Sequence, residues 1–461
     1  MITSRAFAGK RYAVLGLARS GAATVRALAA SDAKVVAWDS DAAKREALAE
    51  LAPMKDPLEI NLKGFDGVVV SPGVPLNTHP IAKKAADAGV PVIGDVELFA
   101  QARPDLPAHK VVGITGTNGK STTTALIHHM LATAGYPTTL GGNIGLPILG
   151  QDPLAPNAKG EGVYVLELSS FQIDLTRTLD CDVAVLTNIT PDHLDRYASF
   201  ADYARSKARL FFMQTQDGTA VIATDDEPTR RIAKALREGI RPAQTSQAAV
   251  TAAAGMPGGA VLGSAGNPEV VEASSAALLQ YQHNWPTLQG PHNAQNVACA
   301  VVTARALGLS DDEIRTGVRS YPGLPHRMER VAEKRGVLYV NDSKATNATA
   351  TAPALGAYKA IHWILGGIAK TDDLDACAPY YDHVLAGYTI GQAGPMFAGL
   401  LRAAGKPVTE SGTLDRAVRD AAAAAKPGEV VMLSPACASF DQFSDYEARG
   451  RAFREAVEEL A

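Results

Sequence analysis

The stretch Gly113-Ile-Thr-Gly-Thr-Asn-Gly-Lys-Ser-Thr122 decides the fold. An apolar run ending at Thr115 precedes the glycines, and an apolar helical pattern follows Thr122. This order predicts a phosphate-binding loop, because the glycines let successive backbone N–H groups face one anion and the helix N-terminus adds partial positive charge. In such loops the lysine, here Lys120, reaches the outer phosphates, and the next residue, Ser121, ligates Mg²⁺.

The glycine spacing of this loop departs from the usual pattern. The position five residues before Gly119 is Ile114, and the earlier glycines stand at 113 and 116. The alternative is a chance glycine-rich turn. Because strand, loop and helix follow in the required order, we favour the phosphate-binding loop.

Short apolar runs alternate with helical stretches along the whole chain, which is typical of βαβ units around parallel sheets. We predict strands at 12–16, 34–38, 68–70, 90–93, 110–115, 163–168, 183–187, 219–223, 337–340, 361–365, 383–386 and 429–433. Proline-bearing segments at 101–107 and 321–325 predict two boundaries. The expected fold class is α/β with three domains: a Rossmann-like N-terminal domain (1–106), a central P-loop ATPase-like domain (107–323) and a Rossmann-like C-terminal domain (324–461).

Composition excludes several classes of protein. The chain has 461 residues, of which 46% are hydrophobic and 20% are charged, so it can bury full cores. Its net charge of -4 argues against a general nucleic-acid binder. The four cysteines form no CxxC pair, and no apolar run approaches the length of a membrane span. We expect a cytoplasmic enzyme without a secretory signal or a disulfide framework.

Two further segments predict a metal site beside the phosphate loop. Glu167 comes at the end of an apolar run, and His193 follows the next run in Asn188-Ile-Thr-Pro-Asp-His-Leu-Asp195. Since the carboxyl ends of parallel strands meet at one edge of a sheet, both face the crevice where ligands bind. Oxygen ligands with one imidazole suit Mg²⁺ or Mn²⁺. The alternatives are a surface glutamate and an Asp192 that caps a helix.

The loop TGTNGKST resembles the nucleotide loop of the Mur ligase family, ATP-dependent amide-forming ligases of peptidoglycan and folate metabolism. The resemblance implies ATP and two Mg²⁺ ions as cofactors. It implies catalytic roles for Lys120, Lys207, His193 and Lys344, and metal ligation by Ser121, Glu167, His193 and Lys207. It implies ATP contacts by Gly116, Thr117, Asn118, Gly119, Lys120, Ser121, Thr122, Asn293, Asn296, Arg327 and Asp342.

Lys207 is assigned to metal binding and catalysis only through the resemblance to the Mur ligase family. It lies in Tyr203-Ala-Arg-Ser-Lys-Ala-Arg209 and resembles the family lysine that CO₂ carbamylates. Carbamylation turns an ammonium, normally with a pKa of about 10.4, into an anion that binds metal. From the residues alone, an ordinary basic helix face is the favoured interpretation. Asn293 and Asn296 are three apart and so share one helix face, where amides either cap the helix or read a base.

The last domain carries three polar loops that each follow a predicted strand. Together they resemble the segments of family members that bind D-glutamate, which implies Thr346, Lys370, Ser439, Phe440 and Tyr446 as its contacts. Phe440 and Tyr446 replace a familiar leucine and phenylalanine, so the backbone contacts remain available while the pocket's shape changes.

The first domain begins with an incomplete dinucleotide fingerprint, Val14-Leu-Gly-Leu-Ala-Arg-Ser-Gly21. Ala18 replaces the second glycine, so NAD binding is poorly supported. Helix N–H groups after Ser20 suit a diphosphate instead, and Asp39 is placed to read ribose or uracil. Resemblance and pattern together assign a uridine-nucleotide substrate to Arg19, Ser20, Asp39, Ser40, Ser71, Gly73 and Asn143.

The resemblance implies a ligase that adds D-glutamate to UDP-N-acetylmuramoyl-L-alanine through an acyl phosphate, with consumption of ATP, in peptidoglycan and cell-wall synthesis. The expected protein is a monomer. The nearest alternatives are a diaminopimelate- or lysine-adding ligase of the family and a folylpolyglutamate synthase. A nucleotide-binding regulatory module and a nicotinamide dehydrogenase are alternatives from other classes.

Overall fold

The structure is a computed structural model that describes residues 1–192, 196–239 and 267–460. The chain divides into two compact units. The first comprises Met1–Ser275 with Gln295–Val318, and the second comprises Ala276–Ala294 with Arg319–Ala461. The first unit holds two sheets and the second holds one. The α/β class with three sheets is as predicted.

The first sheet has four parallel strands in the order β2-β1-β3-β4. The strands are β1 (Arg11–Leu15), β2 (Lys34–Trp38), β3 (Gly67–Val70) and β4 (Val92–Ile93). The helices between and after them are α1 (Arg19–Ala29), α2 (Ala42–Glu46), α3 (Ile81–Asp87) and α4 (Asp95–Ala102). All four residues of β3 are buried, as expected for a strand covered on both faces.

The second sheet has six parallel strands in the order β10-β9-β8-β5-β7-β6. They are β5 (His109–Thr115), β6 (Thr138–Gly142), β7 (Gly162–Glu167), β8 (Val183–Leu186), β9 (Thr219–Ala223) and β10 (Glu269–Ala273). The helices of this part of the chain are α5 (Lys120–Thr133), α6 (Ser170–Asp174), α7 (Phe200–Phe212), α8 (Glu227–Arg237), α9 (Pro291–Ala306) and α10 (Asp311–Ser320). Strands β6 and β10, at the sheet edges, were not predicted.

The position of β5 in this sheet places the phosphate loop. β5 pairs with β7 on one side and with β8 on the other, so the chain leaves it in one direction and later returns on the opposite side. In open parallel sheets, ligands bind at the carboxyl ends of strands where the order reverses in this way. The loop after β5, the end of β7 and the loop after β8 therefore share one crevice.

The third sheet has the order β11-β12-β16-β13-β14-β15, and only its edge pair β11–β12 is antiparallel. Its strands are β11 (Glu329–Lys334), β12 (Val337–Asn341), β13 (Ile361–Gly366), β14 (Val384–Ile390), β15 (Val408–Gly412) and β16 (Val430–Leu433). Its helices are α11 (Ala348–Gly356), α12 (Gly394–Ala403), α13 (Leu414–Ala424) and α14 (Tyr446–Glu458). The edge strands β11 and β15 were not predicted.

Short 3₁₀ segments complete the described secondary structure. They are Arg5–Phe7, Arg103–Asp105, Ile148–Gly150, Leu279–Asn284 and Asp375–His383. Within the ranges that the structure describes, no helix is long and apolar enough to cross a bilayer. The boundaries proposed at 106/107 and 323/324 stay predictions.

A buried carboxylate joins the first two sheets. Glu97, on α4, accepts hydrogen bonds from the backbone N–H groups of Arg177 (2.7 Å) and Thr178 (3.0 Å). The Thr178 hydroxyl (2.9 Å) and the Gln101 amide (3.0 Å) donate to its other oxygen. Four donors therefore converge on one side chain that is only 2% exposed. Such charge-assisted bonds stabilise a fold more than neutral ones.

We expect Glu97→Gln to lower the free energy of unfolding of the first unit by about 2 to 4 kcal/mol, because one oxygen becomes a donor that faces other donors. Urea titration followed by circular dichroism measures the change. The matched control is Glu46→Gln, an exposed glutamate, which should stay within about 0.5 kcal/mol of the parent. Equal urea midpoints for the two variants would contradict a stabilising role for Glu97.

Candidate functional site

The phosphate loop has the backbone that its glycines permit. Gly116 has φ +147° and Gly119 has φ +81°, a region that side-chain-bearing residues rarely adopt. A Cβ on Gly116 would lie 2.0 Å from Oγ1 of Thr187, and one on Gly119 would lie 2.1 Å from Oδ1 of Asn296. Glycine is therefore required at both positions for conformation and for space.

The loop after β8 braces the phosphate loop. The backbone N–H of Thr117 donates to the carbonyl of Asn188 (2.8 Å), and that of Asn118 donates to the Asn188 side-chain oxygen (2.8 Å). In return, the hydroxyl of Thr187 donates to the Asn118 carbonyl (2.6 Å). These three hydrogen bonds fix the conformation of the phosphate loop. Thr187 and Asn188 were not predicted to act here, although their segment was expected at this edge.

Two lysines converge on one carbonyl of the loop. Nζ of Lys120 lies 3.1 Å from the Gly116 oxygen and 2.8 Å from the Thr117 oxygen. Nζ of Lys207, from α7, lies 2.8 Å from the same Gly116 oxygen. Two positive charges so close repel each other at low dielectric, and an anion between them would relieve the repulsion.

Lys207 is among the largest fully buried side chains of the described residues and is 2% exposed. Burial, and next the charge of Lys120, hold the pKa of Lys207 well below its usual value. Nζ lies 4.5 Å from the ring centroid of Tyr203, whose hydroxyl is 3.1 Å from Oγ1 of Thr117. Burial raises the pKa of Tyr203 to about 12, so its phenol stays neutral. Tyr203 was not among the site residues predicted from the sequence.

Glu167 ends β7 as predicted and is 2% exposed. Its Oε1 accepts from the side-chain amide of Asn143 (2.9 Å), while Oε2 has no hydrogen-bond partner among the described residues. The Asn143 backbone N–H also donates to the Glu167 carbonyl (2.8 Å). Asn143, predicted for the uridine-nucleotide substrate, is thus brought against the predicted metal ligand.

These residues fit a hard cation. A buried carboxylate oxygen without a partner needs a positive charge, and Ser121, buried in the first turn of α5, supplies a hydroxyl. In the described ranges, no three His, Cys, Asp or Glu side chains already form a metal cluster. His193 lies outside the described residues, so its predicted ligation and catalysis stay predictions.

The two asparagines predicted for the nucleotide have different partners. Asn296 is buried in α9, and its Oδ1 lies 3.4 Å from the hydroxyl of Thr123 on α5. It also packs against Gly119, as the close approach above shows. Nδ2 of Asn293 donates to the Gln289 carbonyl (2.9 Å), which holds the first turn of α9. Thr122 is buried beside Ser121 in α5.

Asp39, whose contact with ribose or uracil stays a prediction, also accepts hydrogen bonds from the backbone around it. Its Oδ2 accepts from the backbone N–H of Leu17 (2.7 Å), and Oδ1 accepts from that of Asp41 (2.9 Å). Against the effect of partial burial, these two bonds and Lys44 lower the pKa of Asp39. The carboxylate is therefore held ionised between β1 and β2.

The other predicted uridine-nucleotide residues gather near the start of α1. The hydroxyl of Ser71 donates to the Gly16 carbonyl (2.8 Å), and Arg19 donates to the Gly145 carbonyl (2.6 Å). Ser20 lies in the first turn of α1, where helix N–H groups attract anions. Ser40 and Gly73 are exposed at the ends of β2 and β3.

In the second unit, three loops follow the adjacent strands β12, β16 and β13, so Thr346, Ser439 and Lys370 share one sheet edge. The loops after β13 and β16 exchange two backbone hydrogen bonds between Ile368 and Ala438, each 2.9 Å. Ser439 is buried, while Phe440 is 70% exposed and Lys370 is also exposed.

Arg449 on α14 ties the three loops together and was not predicted. It is 1% exposed and donates to the carbonyls of Ser343 (2.8 Å), Cys437 (3.0 Å) and Gly366 (3.5 Å). Burial lowers the pKa of Arg449 to about 10, so it remains charged at neutral pH. An arginine within the apolar pattern of α14 is the sequence signal that could have revealed it.

Asp342 and Lys344 lie in the loop after β12. Burial raises the pKa of Asp342 to about 6, although Ser434 donates to it (2.8 Å) and Arg327 attracts its charge. Nε of Arg327 is buried without a partner among the described residues. Lys344 places its Nζ 5.5 Å from the ring centroid of Tyr446. Arg327 thus attracts the charge of Asp342, which is assigned to ATP, and Lys344 lies near Tyr446, which is assigned to D-glutamate.

We expect Gly116→Ala to abolish nucleotide binding, since the added Cβ meets Thr187 and the backbone is strained. At ATP concentrations near 100 times Kd, the parent should gain about 2.7 kcal/mol of stability, and the variant none. Thermal unfolding with and without Mg-ATP measures this difference. The control is Gly399→Ala, where a Cβ meets nothing within 4 Å on an exposed helix face. Retained stabilisation of the Gly116 variant would contradict the loop assignment.

Three family models match the chain in order. The Mur ligase MurD-like N-terminal domain matches residues 10–94, the Mur ligase middle domain matches 114–304, and the Mur ligase glutamate ligase domain matches 326–437. Among solved structures, UDP-N-acetylmuramate–alanine ligase from Thermotoga maritima has a TM-score of 0.55 at 16% identity, over 97% of this chain and 99% of that one. This likeness supports the fold alone.

Curated relatives are similar over the full length. One from Novosphingobium aromaticivorans is 61% identical, over 100% of this chain and 97% of the relative. One from Zymomonas mobilis is 56% identical, over 100% of both chains. Each is named UDP-N-acetylmuramoylalanine–D-glutamate ligase. Because family models and full-length relatives agree with the geometry of the site, the chain belongs to the Mur ligase family.

Proposed function

We propose that this chain joins D-glutamate to UDP-N-acetylmuramoyl-L-alanine with ATP, a step of peptidoglycan synthesis. The observation that carries the proposal is the full-length 61% identity to a D-glutamate ligase, combined with a phosphate loop on which Lys120 and Lys207 converge. The names of the relatives favour this activity over the diaminopimelate- and lysine-adding and folylpolyglutamate alternatives. Action in the cytoplasm and a monomeric state stay predictions.

The reaction needs two transfers. An oxygen of the alanine carboxylate attacks the γ-phosphorus of ATP, and the bond to the β-phosphate oxygen breaks, which releases ADP and leaves an acyl phosphate. The amine of D-glutamate then attacks the acyl carbon, loses a proton and expels phosphate. Each step moves negative charge onto phosphate oxygens, so fixed positive groups accelerate it.

Lys120 is the residue that we assign to this charge. Its Nζ lies at the carbonyls of Gly116 and Thr117 in the phosphate loop, and the N-terminus of α5 adds its dipole. Ser121, Glu167, His193 and a carbamylated Lys207 would hold two Mg²⁺ ions. Bound Mg²⁺ supplies Lewis-acid polarisation of the phosphoryl oxygens.

The substrates are assigned to separate loops. We assign the uridine nucleotide to the start of α1, with Arg19, Ser20, Asp39, Ser71 and Asn143 as its polar contacts. D-glutamate is placed at the edge formed by Thr346, Lys370 and Ser439, near Phe440 and Tyr446. Lys344 lies with Thr346 in the loop after β12, and we assign it a catalytic role.

We expect phosphate release to require ATP, UDP-N-acetylmuramoyl-L-alanine and D-glutamate together, and Lys120→Ala to lower kcat by about 10² to 10³ fold. A coupled phosphate assay with D-glutamate, L-glutamate, L-lysine and diaminopimelate in parallel tests both. Lys234→Ala, at an exposed lysine of the same unit, is the control. Turnover that ignores D-glutamate, or near-normal ligation by the Lys120 variant, would reject the proposal.

We also expect Lys207 to react with CO₂, because a lowered pKa increases the fraction of this buried amine that is neutral and nucleophilic. Its nitrogen bonds to the carbon and a proton leaves, giving a carbamate. Incubation with ¹³C-bicarbonate should yield one carbamate signal by NMR in the parent and in Lys234→Met, and none in Lys207→Met. A signal that persists without Lys207 would assign the carbamate elsewhere, and no signal in the parent would exclude it.

A further inference from the structure

A buried glutamine holds the loop that follows β6. Gln151 is 6% exposed and comes directly after the 3₁₀ segment Ile148–Gly150, whose two apolar side chains are buried in a core cluster. Its Nε2 donates to the carbonyls of Leu140 (2.9 Å) and Leu146 (2.8 Å). One side-chain amide therefore joins the two ends of the loop 141–145.

The hydrogen bonds of this amide use both of its N–H groups. Each N–H faces one carbonyl, and the Thr139 hydroxyl donates to Oε1 of Gln151. Carbonyls accept hydrogen bonds and cannot donate them, so these partners fix the orientation of the amide. Gly141 provides the space for it, since a Cβ there would lie 2.9 Å from Nε2. The local sequence is thus matched to the glutamine.

Apolar burial does little to hold this loop. Leu146 is 64% exposed, and Asn143 and Gly145 are exposed as well. Strand β6 lies at the edge of its sheet, so part of its backbone has no neighbouring strand to bond. The conformation of the loop therefore depends on hydrogen bonds, and Gln151 supplies those at both of its ends.

Two residues of the loop contact groups that we assign to ligands. Asn143 donates from its backbone and from its side chain to Glu167, and the Gly145 carbonyl accepts from Arg19 at the start of α1 (2.6 Å). The Asn143 amide has a second N–H and a carbonyl oxygen, which have no partner among the described residues. The loop thus connects the start of α1 with the end of β7 and presents polar atoms between them.

We propose that Gln151 is a positioning residue for the uridine-nucleotide substrate, because it holds the loop in the shape that presents Asn143 and orients Arg19. The inference rests on the proposed function, since it uses the same substrate. A loop that is ordered in the free protein loses little conformational freedom when the ligand binds. A loop released at both ends must lose that freedom on binding, so the nucleotide binds more weakly while the later chemistry is little changed.

The test is Gln151→Met, which keeps the length of the side chain and removes both N–H groups. We expect the Kd of UDP-N-acetylmuramoyl-L-alanine, measured by calorimetry on the full chain without ATP, to rise about tenfold. The KM of the same substrate should rise with it. The KM of D-glutamate and kcat should stay within about threefold of the parent, because substrate saturation restores the ordered loop.

The chain offers a matched control in Gln214→Met. Gln214 belongs to the same unit, is 3% exposed, and also donates from Nε2 to two carbonyls, those of Cys181 (2.9 Å) and Thr219 (3.1 Å). These carbonyls lie before β8 and at the start of β9, at the sheet edge opposite the phosphate loop. Both variants should lose stability in urea, and only Gln151→Met should weaken nucleotide binding.

A double variant tests whether Gln151 acts through Asn143. Because both changes affect the same contact, Gln151→Met with Asn143→Ala should weaken binding by less than the product of the two single effects. Fully multiplicative effects would overturn the route through Asn143. If Gln151→Met does not fold, Thr139→Val carries the test, since it removes only the hydroxyl that orients the amide; an unchanged Kd in Thr139→Val would then overturn the proposal.

The outcomes separate this inference from the proposed function. A parent that turns over with D-glutamate, together with a Gln151→Met variant that binds the nucleotide as tightly as the parent, overturns the role of Gln151 alone. Equal weakening by Gln214→Met does the same, because it would reflect general loss of stability. A parent that binds no UDP-N-acetylmuramoyl-L-alanine overturns both. Weaker binding confined to Gln151→Met supports the role of Gln151.

Discussion

The carbonyl oxygen of Gly116 is the point on which the site depends, because it accepts hydrogen bonds from both Lys120 and Lys207. Gly116 has a φ of +147°, which glycine tolerates and other residues rarely adopt. Burial and the charge of Lys120 lower the pKa of Lys207, so the two nitrogens share the oxygen with less repulsion than two full charges would have. A triphosphate, or a carbamate on Lys207, would place negative charge beside Lys120.

Sheet topology brings the remaining groups to this point. β5 ends in the loop, β7 ends in Glu167, and the loop after β8 supplies Thr187 and Asn188 as braces. The three strands are parallel neighbours, so their carboxyl ends lie side by side at one edge of the sheet. The hydrogen bonds of Glu97 then join the first sheet to the segment after α6. The start of α1 and the Asn143–Glu167 contact belong to the same compact unit.

Short sequence patterns predicted the features that depend mainly on local sequence. The strand–loop–helix order identified the phosphate loop, and the buried apolar runs identified the central strands. The edge strands β6, β10, β11 and β15 were missed, because an edge strand needs less apolar sequence and β6 ends in two glycines. The positions of Tyr203 and Arg449 depend on how helices pack onto sheets, which no short window of sequence contains. Asp39 follows β2 as predicted, and its two oxygens accept hydrogen bonds from the backbone of Leu17 and Asp41, which the sequence did not predict.

Lys207 and Arg449 are two buried cations with opposite chemical fates. The ammonium of Lys207 has one carbonyl, an aromatic ring and a second lysine around it, so burial and repulsion favour the neutral amine. The guanidinium of Arg449 spreads its charge over carbonyls from three loops and stays protonated. The first is therefore suited to chemical change, and the second keeps a permanent positive charge at its sheet edge. A chain of net charge -4 can thus bind anions, because local geometry rather than total charge sets the potential at each site.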